Sequence, residues 1–162
     1  MSSILRKQSQ AICEFLREVT GIQNRKDNVC IPECILNGNK KVKARFLRGL
    51  ADADFCFTVK FKPNVYLVIH GDSKSKKLIE QCSKMLNELG IENYWRKEEQ
   101  WYEKRKKRYV IYRVYVNGFV RVKKFMEEVG FQNKNKVEKY EDALKRRNLK
   151  GMKHIPKYYL KR

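Results

Sequence analysis

The sequence lacks the features of a secreted or membrane protein. No apolar run is long enough to span a bilayer, and the first residues do not form the charged-then-apolar pattern of a secretion signal. We therefore expect an intracellular protein, located in the cytoplasm, the nucleoid or an organelle. Only two histidines occur, His70 and His154, and no Ser-His-Asp or phosphate-loop pattern is present. A histidine-based catalytic pair is not predicted.

The number and spacing of the cysteines do not predict a fold held together by disulfides. The five cysteines form an odd number with irregular spacing, which argues against a secreted disulfide framework. Cys30 and Cys34 are near enough in sequence to share a metal, but no second pair of ligands completes a zinc site. We therefore predict neither disulfides nor structural zinc.

Acidic residues are scarce relative to basic ones. The chain has 18 Asp and Glu against 38 Lys and Arg, and its net charge of +20 predicts a polyanionic partner. The basic residues alternate with aromatic and β-branched ones instead of decorating one amphipathic helix, which favours nucleic acid over an anionic membrane. With 162 residues and 42% hydrophobic content, the chain can form one domain with a substantial core.

Hydrophobic periodicity predicts an α+β fold. Residues 43–53 have helical spacing, whereas from Phe55 the apolar residues recur with a period of two, which is typical of a half-buried strand. Pro63 and Asn64 predict a turn, so the alternating residues 65–70 complete an antiparallel hairpin. The predicted elements that follow are a helix from an Asp72 or Ser73 cap to Gly90, a hairpin over residues 93–101 and 109–116, a helix from an Asn117 cap to Gly130, and a Lys-rich helix over residues 136–147.

We divide the chain into an N-terminal helical extension (1–42, with a helix at 4–19), a main domain (43–150) and a basic tail (151–162). Residues 15–24 are similar to residues 125–133 when one gap is allowed. Two interpretations stay open for this similarity. The chain begins with the tail of a lost or duplicated copy of its own fold, or two amphipathic helix ends are alike by chance.

The most specific pattern is the nine-residue stretch from Leu47 to Phe55. It resembles the LAGLIDADG signature and matches it at six positions: Leu47, Gly49, Leu50, Asp52, Ala53 and Asp54. The order of the predicted elements is also similar to that family, in its single-motif, archaeal and intein-embedded branch, over about residues 43–147. The resemblance implies an αββαββα domain with a four-stranded antiparallel saddle sheet.

The same resemblance implies a site-specific endonuclease of intron or intein mobility that makes double-strand breaks in DNA. In that family two motif helices pack together, and the acidic residue at the eighth position, here Asp54, binds divalent metal beside its symmetry mate. Two such carboxylates repel unless a hard cation such as Mg²⁺ shares them, and close-packed helices need small residues. We therefore expect a homodimer with Asp54 as catalytic metal ligand and with the dimer interface formed by Leu47, Gly49, Leu50 and Ala53.

Other positions near the motif have more than one interpretation. Asp52 is interpreted as a capping or orienting residue. Phe55 departs from the family, which usually has Gly there, and a side chain at this point could shift the metal site or mark a lineage that binds without cutting. A basic residue that assists near the metals is usual after the third helix, and Lys134 and Lys136 are the catalytic candidates; either could instead be an ordinary solvated side chain.

The outward face of the four strands would lie in the major groove of DNA. There Arg and Lys can read guanine or hold phosphates, and Tyr can add apolar or hydrogen-bonding contacts. The basic hairpin tip would hold the DNA backbone without sequence preference. The predicted nucleic-acid contacts are Thr58, Lys60, Lys62, Tyr66, His70, Arg96, Arg113 and Tyr115 on the strands, and Lys104, Arg105, Lys106, Lys107 and Arg108 at the tip. A charged strand face left to solvent is the alternative.

Three further alternatives concern function. A noncatalytic nucleic-acid binder or RNA maturase, or an RNA-processing enzyme, would use the same fold, since fold does not fix function. Pairing with a different half is a third possibility, because of the N-terminal similarity. Mutation of Asp54 distinguishes a nuclease from a binder, and substrate competition distinguishes DNA from RNA.

Overall fold

The computed structural model describes residues 28–60, 66–103 and 106–150, together with Glu14 and Glu18, which have helical backbone. The rest of the helix predicted over residues 4–19 lies outside the described residues. So do three predicted nucleic-acid contacts and the basic tail: Lys62, Lys104, Arg105 and residues 151–162.

The described chain has the predicted α+β architecture. Its helices are α1 (Glu33–Leu36), α2 (Lys40–Asp54), α3 (Lys76–Glu88), α4 (Phe119–Glu128) and α5 (Lys134–Lys150), and its strands are β1 (Phe55–Lys60), β2 (Tyr66–Ser73), β3 (Tyr94–Tyr102) and β4 (Lys107–Asn117). The strands form one antiparallel sheet in the order β1-β2-β4-β3. The predicted order of elements (helix, hairpin, helix, hairpin, helix) is therefore confirmed.

The helices cover one face of the sheet. Alternate strand residues point to that face, as the period of two predicted, and the apolar side chains buried there include Phe55, Phe57, Leu67, Ile69, Val114 and Val116. They pack with apolar residues of the helices, including Leu47, Leu86 and Phe125. Burying one such side chain stabilises a fold by about 1.5–3 kcal/mol, so this layer holds the sheet against the helices.

Helix α2 begins three residues before the predicted start. The side chain of Asn39 accepts a hydrogen bond from the backbone N–H of Val42 (3.0 Å), which satisfies one free donor of the first turn. The helix ends at Asp54, after which Phe55 is already extended. Asp54 therefore lies at the junction of α2 and β1.

The predicted cap of α3 is wrong. Strand β2 continues through Ser73, and the cap is Ser75, whose Oγ accepts from the N–H of Leu78 (3.2 Å) and donates to the carbonyl of Val29 (2.5 Å). Asp72 lies in the strand instead of capping the helix. Gly90 ends the helix, with a φ of +74° that favours glycine.

The predicted Asn117 cap of α4 is also wrong. Asn117 is the last residue of β4, and its Nδ2 donates to the hydroxyl of Tyr94 (2.8 Å). The helix is preceded instead by Gly118, which makes no side-chain cap and has a φ of +89°. Helix α5 starts at Lys134 and ends at Lys150, so it is longer at both ends than predicted.

Candidate metal site and nucleic-acid interface

Asp54 is exposed at the C-terminal end of the motif helix α2. No residue in the described ranges donates a hydrogen bond to its carboxylate. The neighbouring acid differs, because the Asp52 carboxylate accepts the backbone N–H groups of Gln132 (3.0 and 3.1 Å) and Asn133 (3.1 Å). Asp52 thus orients the segment that leads into α5, as expected, while the oxygens of Asp54 stay open to a ligand.

Lys136 lies directly behind this helix end. Its Nζ donates to the carbonyl oxygens of Ala51 (2.7 Å), Asp52 (3.0 Å) and Phe55 (2.7 Å). An ammonium group has three N–H donors, so all three are used on the backbone around Asp54. A cation at a helix C-terminus also opposes the partial negative charge of the exposed carbonyls. Lys134, the other candidate, is an exposed residue at the start of α5.

Two contacts in this region were not anticipated from the sequence. The Nε of Arg48, the second residue of the motif, donates to the carbonyl of Val129 at the end of α4. The Nζ of Lys139, one turn after Lys136, donates to the carbonyl of Phe57 (3.0 Å). Together with the contacts of Asp52 and Lys136, these hydrogen bonds hold α2 and β1 against the end of α4, the α4–α5 connection and the start of α5. The partners are about 80 residues apart, so local sequence patterns carry no signal of them.

The Phe55 side chain points into the core and not toward Asp54. Its backbone has φ −83° and ψ 140°, an extended conformation open to any residue, and only 5% of its surface is exposed. The ring lies over its cross-strand partner Gly71, where an added Cβ would come within 2.2 Å of the ring. The backbone at this position therefore does not require glycine.

The described residues of one chain do not enclose a metal. In the described parts of the chain, no three His, Cys, Asp or Glu side chains lie near enough together to bind one ion. Mg²⁺ accepts one or two carboxylates and retains several waters, which matches an exposed Asp54 with free oxygens. The donor chemistry of Asp54 therefore fits Mg²⁺.

The outer face of α2 could accept another helix. Gly49 and Ala53 are exposed, Leu50 is half-buried, and a Cβ built on Gly49 meets no described atom within 4 Å apart from its chain neighbours and its own helix backbone. The prediction that Leu47 contributes to the dimer interface is corrected, because this side chain is 0% exposed in the core of its own chain. It has no surface to offer a partner, and it faces the sheet because α2 is amphipathic.

On the outer face of the sheet, Asp72, Arg113 and Arg96 form a row across β2, β4 and β3. Arg113 donates through Nε and Nη2 to the two carboxylate oxygens of Asp72 and through Nη1 to Glu98 Oε2 (2.7 Å). The hydroxyl of Tyr115 donates to Glu98 Oε1. Two arginines and two carboxylates thus balance one another at the centre of this face.

This pairing shifts the pKa values of the row. Burial acts to raise the pKa of Asp72, but the hydrogen bond and charge of Arg113 outweigh it, so that the pKa lies below its usual value. Burial also acts to raise the pKa of Glu98, but the hydrogen bonds from Tyr115 and Arg96 outweigh it, so this pKa is lowered as well. The hydrogen bond to Asp72 raises the pKa of Arg113 further. Together with Glu98, the row therefore carries two positive and two negative charges at neutral pH.

Two of the predicted nucleic-acid contacts are less accessible than the strand alternation implied. Tyr115 is only 8% exposed, because Tyr94 stacks on it (ring centroids 5.0 Å apart) and His70 and Arg96 flank it. The Arg113 side chain is 16% exposed and is occupied by its carboxylate partners. Among the other predicted contacts, Lys60, Tyr66, Arg96, Lys106, Lys107 and Arg108 are exposed, and Thr58 and His70 are half-buried.

A family model described as a LAGLIDADG-like domain matches residues 41–130, more than half of the chain. The chain belongs to the LAGLIDADG family. The match begins at the first turn of α2 and runs through α4, and the fold and motif geometry agree with it. Membership places the chain among proteins of the homing endonuclease and maturase type. No curated protein matches this LAGLIDADG chain.

A separate finding concerns membranes. None of the helices in the described ranges of this LAGLIDADG protein combines the length and the apolar character that a membrane span needs.

Proposed function

We propose that this protein is a site-specific DNA endonuclease that makes double-strand breaks as a homodimer. The observation that carries the proposal is the exposed Asp54 at the end of a motif helix whose outer face is open beside Gly49. Packing of two α2 helices along this face would bring two Asp54 carboxylates together. A shared Mg²⁺, when bound there, supplies a water of lowered pKa and stabilises the charge that develops on the phosphodiester.

The protein's own groups position this reaction. Asp54 would bind the cation, and Lys136 would keep the preceding helix end in place through its three carbonyl contacts. Asp52 would hold the connection between α4 and α5 by accepting hydrogen bonds from the backbone N–H groups of Gln132 and Asn133. In this account Lys136 is a positioning residue, since its ammonium hydrogens are already used. The exposed Lys134 is free to contact the DNA backbone.

Duplex DNA fits the outer face of the sheet. Lys106, Lys107 and Arg108 are exposed cations at the end of the β3–β4 hairpin, beyond the charge-balanced centre of the sheet. Contacts to phosphates supply affinity without sequence preference, whereas base edges are read by hydrogen bonds in the groove. The twofold symmetry of a homodimer predicts a roughly palindromic target.

The direct test is incubation of the purified protein with a randomised duplex-DNA library and Mg²⁺, followed by sequencing of the cut ends. We expect paired ends that define one palindromic site. Intact DNA bound by the protein would instead favour the noncatalytic alternative. Phe55 gives that alternative little support, because its ring packs inside the protomer.

A second candidate function rests on the end of the β3–β4 hairpin. Trp101 is 53% exposed and Tyr102 is 47% exposed beside the basic tip, and exposed aromatic rings next to cations suit the stacking of unpaired bases. This feature favours structured RNA, as in a maturase. Competition between duplex DNA and a pool of folded RNA distinguishes the two functions, since the endonuclease prefers the duplex and a maturase prefers the RNA.

A further inference from the structure

Arg96 is the one strand arginine of the described outer face whose donors remain largely free. Its side chain is 59% exposed, its Nε donates to Glu98 Oε1 (2.6 Å), and one Nη2 hydrogen goes to the hydroxyl of Tyr115 (3.2 Å). The guanidinium also lies 5.1 Å from the centre of the Tyr115 ring. Arginine has five N–H donors, so three remain without an acceptor in the described chain.

Arg113, the neighbour of Arg96 on β4, is in the opposite situation. Four of its five N–H donors are used, on both oxygens of Asp72, on Glu98 and on Tyr115. Its side chain is 16% exposed. Arg113 therefore holds the two carboxylates in place and has little left for a ligand.

The charge around Arg96 favours a base edge over a phosphate. The carboxylates of Glu98 and Asp72 balance the two arginines, so a phosphate at the centre of the sheet would meet negative oxygens as well as cations. A base edge carries no net charge and offers hydrogen-bond acceptors. Guanine presents O6 and N7 side by side in the major groove, which is the pair that an arginine fork matches.

We propose that Arg96 reads one guanine in each half-site, and that Glu98 and Tyr115 are positioning residues that hold its fork in place. This inference rests on the proposed function, because it requires duplex DNA on the outer face of the sheet. A fork already held by Glu98 and Tyr115 loses less side-chain freedom on binding than a free one, so the contact is selective as well as favourable. Arg113 holds the carboxylates of Asp72 and Glu98 in place and does not read a base.

A binding selection tests the proposal without requiring cleavage. The Asp54→Asn protein, which we expect to bind without cutting, is used as the parent and selects duplexes from a randomised library. We expect guanine at one symmetry-related pair of positions. Adding Arg96→Lys should reduce the preference for guanine at that pair by about tenfold and leave the other positions unchanged. Adding Arg96→Gln should shift the same pair toward adenine, which glutamine reads through N6 and N7.

Two further variants complete the design. Glu98→Gln should weaken the preference at the same pair of positions only, which a general loss of stability would not do. Lys97→Gln is the matched control, because Lys97 neighbours Arg96, is similarly exposed (55%), and lies on the opposite side of the strand by alternation. It should leave every base preference as in the parent.

The outcomes separate this inference from the proposed function. Loss of affinity by the same factor for all duplexes in both Arg96 variants, with the guanine preference retained, would show a phosphate contact and overturn the inference. A parent that enriches no duplex would overturn the proposed function itself, and the inference with it. The melting temperature of each variant identifies any that fail to fold, and Arg96→Lys and Arg96→Gln give two independent readouts of the same position.

Discussion

The ring of Phe55 lies directly against Gly71, its partner across the β1–β2 pair. A Cβ added at Gly71 would come 2.2 Å from the ring, a distance that no real contact allows. The bulky residue at the end of the motif is therefore matched by the absence of a side chain on the neighbouring strand. The pair explains how this chain accommodates Phe at the ninth motif position while α2 ends at Asp54.

This packing predicts strong coupling between the two positions. Gly71→Ala should destabilise the protein by about 1–3 kcal/mol through overpacking, and Phe55→Ala by about 3–5 kcal/mol through a cavity. In the double variant the new methyl group occupies part of the space left by the ring, so the total should be smaller than the sum of the two. Urea unfolding of all four proteins measures this coupling. Strictly additive free energies of unfolding would show that the ring does not contact Gly71.

A second prediction distinguishes the two lysine candidates. Lys136→Met removes the donor from three carbonyls and should lower the free energy of unfolding by about 1–3 kcal/mol, because these oxygens lose their partner. It should also slow cleavage more than it weakens DNA binding, since the end of α2 loses its support. The exposed Lys134→Met is the matched control and should affect binding alone. The reverse pattern would make Lys134 the residue that supports the site.

A third prediction concerns the dimer face of α2. Gly49→Gln places a side chain where the single chain has open space, and replacing a helical glycine should keep or raise protomer stability by up to about 1 kcal/mol. The same side chain would block close packing of two helices. Sedimentation should therefore give a dimer for the parent and a folded monomer for the variant. A dimeric Gly49→Gln protein would show that the copies associate elsewhere.

A fourth prediction uses the lowered pKa of Asp72. Because the folded state holds this pKa below its usual value of 3.8, the ionised carboxylate contributes stability that is complete above pH 3.8 and is lost as the pH falls through the lower folded value. The difference in free energy of unfolding between the parent and Asp72→Asn should therefore shrink in strongly acidic buffer, as Asp72 of the parent becomes protonated. Urea unfolding across a pH series measures it. An equal difference at every pH would contradict the lowered pKa.

The sequence predicted the order of elements because the change from helical spacing to a period of two occurs sharply at Phe55. It placed the cap of α3 wrongly because Asp72 and Ser75 are both ordinary N-cap types, whereas Asp72 lies in β2, opposite Arg113 of β4, and binds the Arg113 side chain. Local patterns do not reveal which acid or serine has such a partner. The ends of the helices and strands likewise depend on contacts between residues that are distant in the sequence.

Local sequence patterns also did not predict several contacts of the candidate site. Alternation placed Tyr115 on the outer face, yet it could not show that Tyr94 stacks on it and buries it. The motif identified Asp54, while the anchoring contacts of Arg48 and Lys136 bridge about 80 residues. Leu47 belongs to the motif but faces the core, so motif membership alone does not assign a residue to the interface.

The most direct test of the account is the rate at which the intact protein and Asp54→Asn cut the duplex recovered by selection, with Mg²⁺ present. Glu138→Gln, a charge-to-amide change at an exposed residue of α5, is the matched control. We predict double-strand cutting by the intact protein and the control, and a fall of at least about a hundredfold for Asp54→Asn, because a lost metal ligand removes several kcal/mol of transition-state stabilisation. Equal cutting by Asp54→Asn would contradict a metal site at the end of α2.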